Sequence, residues 1–95
     1  MTLHDFKESL KEQQPPPVAV LLQALWYEAK GDWEKAHNLA QDVPTSDGAL
    51  IHAYLHRVEG DLSNARYWYH RAQRNIPNQS LTEEWDLLVT ELLSR

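Results

Sequence analysis

Gly31-Asp32-Trp33-Glu34-Lys35-Ala36 returns about 29 residues later as Gly60-Asp61-Leu62-Ser63-Asn64-Ala65, a period in the range of stacked helical repeats. Each copy reads as the end of one helix and the start of the next. The glycine supplies the left-handed residue on which a helix closes. The aspartate caps the helix that follows. The phrase therefore places two helix-turn-helix units in the chain.

Outward from the two glycines the helices come in order. Residues before Gly31, from Val18 to Lys30, are apolar on nearly all sides, the pattern of a helix buried all round. Asp32 opens a helix that runs to Gln41 and stops before Pro44. Thr45 to Gly48 is turn and cap material, and a helix from Asp47 to Glu59 carries the stripe Ile51, Tyr54, Leu55 and Val58. Asp61 opens a helix expected to reach Asn75, with Pro77 beyond it. At the N-terminus, Leu3, Phe6 and Leu10 make a narrow apolar stripe on a helix that ends by Gln14, because Pro15-Pro16-Pro17 follows. Pro17 also suits the first turn of the next helix. At the C-terminus Ser80 and Glu83 form a capping box, and Leu81, Trp85, Leu88 and Leu92 share a face. The paired acids Glu83 and Glu84 fit the positive end of that helix. No strand pattern survives.

Aligned on the glycines, Ala53, Gly60, Ala65, Tyr69, Ala72 and Pro77 stand at the spacing of the tetratricopeptide repeat, which the chain resembles over residues 18–77. The first unit is shortened, with Ala40 in the aromatic slot and an early Pro44; the related Sel1-like repeats remain an alternative. The fold class expected is thus all-α, a right-handed stack of antiparallel helix pairs with flanking helices. One domain covers 1–95: a helix at 1–14, a proline linker at 15–17, units at 18–44 and 45–77, and a capping helix at 80–95. Two units are fewer than the roughly three a stack needs, so the terminal helices, or else a second chain, are expected to act as caps. The resemblance implies a groove lined by Leu21, Leu25, Glu28, Tyr54, Arg57 and their neighbours, and so small a groove is expected to be filled by a terminal helix.

The formal net charge of −5 disfavours general nucleic-acid or anionic-membrane binding. With no cysteine there is no disulfide framework, thiolate metal site or thiol nucleophile. Met1 to Lys7 lacks the layout of a signal peptide, and no apolar run is long enough to span a membrane, so the expected location is the cytoplasm.

The function expected is a non-enzymatic protein-interaction or assembly module whose partner is a protein or peptide, with self-association also open. Leu25, Tyr54 and Arg57 are the groove contacts, with Arg66 and Arg74 second. The last two lie in Arg66-Tyr67-Trp68-Tyr69-His70-Arg71-Ala72-Gln73-Arg74, the one basic and aromatic stretch, suited to an acidic tail or a C-terminal carboxylate. His52 and His56, four apart on one helix, share a face. In repeat register they match Gln23 and Tyr27 on the side facing the partner helix, where hydrogen bonds to Asn64, Tyr67 or a carbonyl would hold them. They are expected to be structural, so no cofactor and no metal is assigned. A small-ligand or metal site at this pair is the alternative, with His37 or His70 as a third ligand. Three glycines at helix ends and a turn leave no phosphate-cradling loop, and no catalytic arrangement is recognisable.

Overall fold

A computed structural model describes residues 1–95 as six α-helices and no strand: α1 Leu3–Ser9, α2 Val20–Ala29, α3 Trp33–Gln41, α4 Ser46–Val58, α5 Leu62–Arg71 and α6 Leu81–Leu93. The all-α class is as expected. Helices α2 and α3 form one hairpin, α4 and α5 a second. Antiparallel α3 and α4 join them: Trp33 at the start of α3 donates its indole N–H to the Leu55 carbonyl near the end of α4, at 2.6 Å. No helix is long and apolar enough to cross a membrane.

The repeated phrase does what its chemistry demands. Gly31 and Gly60 sit at φ +89 and +85. The amide after each glycine reaches back to close its helix, Asp32 to the Tyr27 carbonyl and Asp61 to the His56 carbonyl. Asp32 and Asp61 then cap α3 and α5 through their carboxylates. Gln73 repeats this closure after α5 at φ +60, with Arg74 N–H bonding the Tyr69 carbonyl. A side chain at that φ carries the strain that glycine avoids.

Several boundaries differ from expectation. Helix α1 stops at Ser9 rather than near Gln14. Beyond it the Leu10, Lys11 and Glu12 amides bond carbonyls three residues back, and the Leu10 and Glu12 carbonyls both accept from Lys30 Nζ, at 2.7 and 3.0 Å. Helix α2 starts at Val20, not Val18, and Pro17 stays outside it. The Val18 amide bonds the Pro16 carbonyl, and its own carbonyl accepts the Gln23 side chain, so both backbone groups are spent before the helix begins. Helix α4 begins one residue earlier, at Ser46, because Thr45 caps it by accepting from the Gly48 amide. Helix α5 ends at Arg71 rather than Asn75, where Gln73 turns left-handed.

The terminal helices complete the core. Helix α6 lies against α1, α2 and α4. Trp85 donates its indole N–H to the Leu25 carbonyl at 3.0 Å and packs against Phe6, ring centroids 5.7 Å apart. Phe6 is fully buried. Replacing a buried phenylalanine by alanine removes its transfer energy and leaves a cavity. Phe6→Ala is expected to cost about 3–4 kcal/mol in urea denaturation, and Gln73→Gly to add about 1 kcal/mol by relieving the left-handed residue.

Candidate functional site

The groove expected to receive a partner is occupied from within. Leu25 has no exposed surface and Tyr54 almost none, so neither side chain is offered to another molecule. Trp85 of α6 sits where a partner would. The Tyr54 hydroxyl donates to Glu28 Oε1 at 2.7 Å. Arg57 donates to Glu84 Oε1 at 2.8 Å, and Tyr69 donates to Glu84 Oε2 at 2.6 Å. Glu84 is thus a buried carboxylate from α6 clasped by α4 and α5, not merely an acid beside a helix N-terminus. Its position on the Leu81, Glu84, Trp85, Leu88 face was the signal in the sequence, since a charge on an apolar stripe needs a buried partner.

What remains of the groove is a cleft of about 420 Å³ between Leu10, Val58 and Leu81, with Glu28 and Tyr54 among its walls. Burial raises the Glu28 carboxyl above its ordinary value, and the hydrogen bond from Tyr54 only partly offsets this. Burial also raises the Tyr54 hydroxyl well above the usual phenol range, with Glu28 adding to the effect. Glu28 and Tyr54 thus pair with each other in the wall of the cleft. A raised carboxyl favours folding below its ordinary value of 4.5, and that advantage is lost as pH rises through the native value. Glu28→Gln keeps an acceptor for Tyr54 and removes the charge. It is expected to raise the melting temperature at pH 7, with the gain vanishing below pH 4.5.

Arg74 pairs with Glu91 of α6, so it helps hold α6 in place. Arg66 is exposed and forms no ion pair.

The histidines are brought together more closely than their spacing alone required. His37 Nε2 on α3 lies 3.0 Å from His52 Nε2 on α4. His56, one turn along α4, bonds Glu59 Oε1 through Nδ1 at 2.6 Å. One ring nitrogen from each of the three lies within 4.8 Å of the others. Two tryptophans brace the group. Trp33 stacks on His37 with centroids 4.8 Å apart, and Trp68 on His52 at 4.0 Å. The partners expected for His52 and His56 are not the ones found. Asn64 turns instead to Asp61, and Tyr67 points outward. His37 is the third member, and His70 stays exposed on α5. Burial pushes His52 down to about 4, and burial also lowers His37, so both rings are neutral at pH 7.

No family model matches the chain, and neither a curated protein nor a solved structure matches it.

Proposed function

We propose that this chain is a tetratricopeptide-like, non-enzymatic interaction module that takes an acidic protein segment on the outer face of α5. The order of helix packing supports the repeat reading: α2 meets α3 and α4, and α4 meets α5. In such a stack α5 is the open end. Its backbone packs on α4 alone, and it reaches α6 only through side chains.

The observation that carries the reading is a pair of uncommitted arginines. The chain has 14 acidic residues, yet none stands between Asp61 and Glu83. Within that stretch Arg66 and Arg71 are exposed and form no ion pair. Arg71 lies over the Trp68 ring at 5.2 Å and the Tyr67 ring at 5.8 Å, and donates to the Tyr67 hydroxyl at 3.2 Å. Stacking holds the planar guanidinium in place and leaves donors on its edges for a carboxylate. Tyr67, about half exposed, supplies the amphipathic surface typical of contact hot spots. The net charge of −5 makes a polyanionic nucleic acid a poorer ligand than a short acidic peptide. The same arginines oppose the pairing of two open ends about a two-fold axis, because that would set like charges face to face.

The test is affinity capture with the wild-type protein and with the paired variant Arg66→Glu and Arg71→Glu. A partner retained by the wild type is expected to be lost at least tenfold with the variant, at unchanged helicity, and to elute as ionic strength rises. A partner held equally by both proteins overturns this surface.

A further inference from the structure

The seam between α3 and α4 holds a side-chain group that partner binding on α5 does not use. Three imidazoles from two helices converge there, and the repeat does not require them: the first unit has Gln23 and Tyr27 where the second has His52 and His56. We propose that His37, His52 and His56 form a three-histidine site for a divalent transition-metal ion of the zinc type.

The geometry is close to what such an ion demands. Tetrahedral zinc with ligand bonds of 2.0–2.1 Å sets its donor nitrogens about 3.3 Å apart. His37 Nε2 and His52 Nε2 are already 3.0 Å apart. They are joined by a single shared proton, since a neutral imidazole carries only one N–H. Moving that proton to the Nδ1 of the same ring leaves both Nε2 lone pairs for a metal, with no change of charge. The third ring is prepared from outside. Glu59 holds His56 Nδ1, at 2.6 Å, which leaves Nε2 as its donor. A carboxylate on the far nitrogen of a ligating histidine is the usual means of fixing its tautomer and raising its basicity.

Closure asks little of the fold. One nitrogen from each ring lies within 4.8 Å of the others, at most about 1.5 Å beyond tetrahedral spacing, a gap that side-chain rotation of His56 can close. The other two rings are braced by Trp33 and Trp68 stacked on their outer faces. His37 and His56 each keep part of their surface exposed, so the cluster borders solvent. Three protein nitrogens leave the fourth corner of the tetrahedron to water, the arrangement of an open rather than a closed zinc site. Imidazole donors suit zinc, copper and nickel and disfavour magnesium or calcium.

Titration calorimetry of tag-free protein with zinc chloride is expected to show one ion per chain at micromolar affinity or tighter. His37→Gln and His56→Gln should each weaken uptake more than tenfold, and Glu59→Gln about tenfold. None of these three positions is fully buried, and circular dichroism checks that each variant is folded. Ring-nitrogen NMR of the wild type gives an answer that needs no variant: zinc should shift the His37, His52 and His56 resonances together. Absence of heat from the folded wild type overturns the proposal. So does uptake unchanged in His37→Gln, which would place the ion on His56, Glu59 and Asp61, or a zinc shift confined to His4 or His70.

Discussion

Trp85 is the side chain on which the arrangement of the molecule depends. Two helical hairpins bury the surfaces they share but leave the inner face of α2 and α4 open. An open apolar face of that size on a domain of 95 residues is a solubility and stability liability. Trp85 fills it from α6, bonding the Leu25 carbonyl with its indole N–H and meeting Phe6 from α1 on its other side. The two terminal helices are therefore one device, each giving the other a surface to pack on. Glu84, the neighbouring residue, fixes the orientation. Its carboxylate is buried, and that is tolerable only because Arg57 and Tyr69 both donate to it. The clasp ties α6 to α4 through Arg57 and to α5 through Tyr69.

Filling the groove moves the accessible chemistry elsewhere. With Leu25 and Tyr54 enclosed and Arg57 and Arg74 engaged by α6, two regions keep polar side chains in unusual company. One is the outer face of α5, where Arg66 and Arg71 form no ion pair and no other helix packs. The other is the α3–α4 seam, where three imidazoles converge at positions whose counterparts to His52 and His56 in the first unit are Gln23 and Tyr27. Both regions belong mainly to the second unit and its junction with the first. They are separated by Trp68, which faces the histidines with its ring and lies beneath Arg71.

Much of this was legible in the sequence because it is local. Helix ends at Gly31 and Gly60 and caps at Asp32, Asp61 and Ser80 follow from the few residues around each, through backbone conformation and orphan amides. The boundaries that were displaced lie where a distant group intervened. After Ser9 the amides of Leu10, Lys11 and Glu12 switch to carbonyls three residues back, and Lys30, 18 to 20 residues away, holds the Leu10 and Glu12 carbonyls, a contact that no reading of residues 10–14 alone shows. The early end of α5 has the opposite character: Gln73 adopts a left-handed conformation that its residue type does not advertise. Glu84 was visible as a carboxylate on an apolar stripe, yet its first-turn position offered a sufficient local explanation.

The sequence by itself determined the helix content, the two hairpins and the need for caps, because hydrophobic period, glycine and capping chemistry act over a turn or two of chain. Tertiary structure alone decided which surfaces remain available. Whether α6 fills the groove, whether Arg66 finds a carboxylate, and whether His37 approaches His52 depend on how rigid helices pack. Residues 15 and 60 apart in the chain meet through side-chain volume and buried hydrogen bonds, and neither is written in the local pattern.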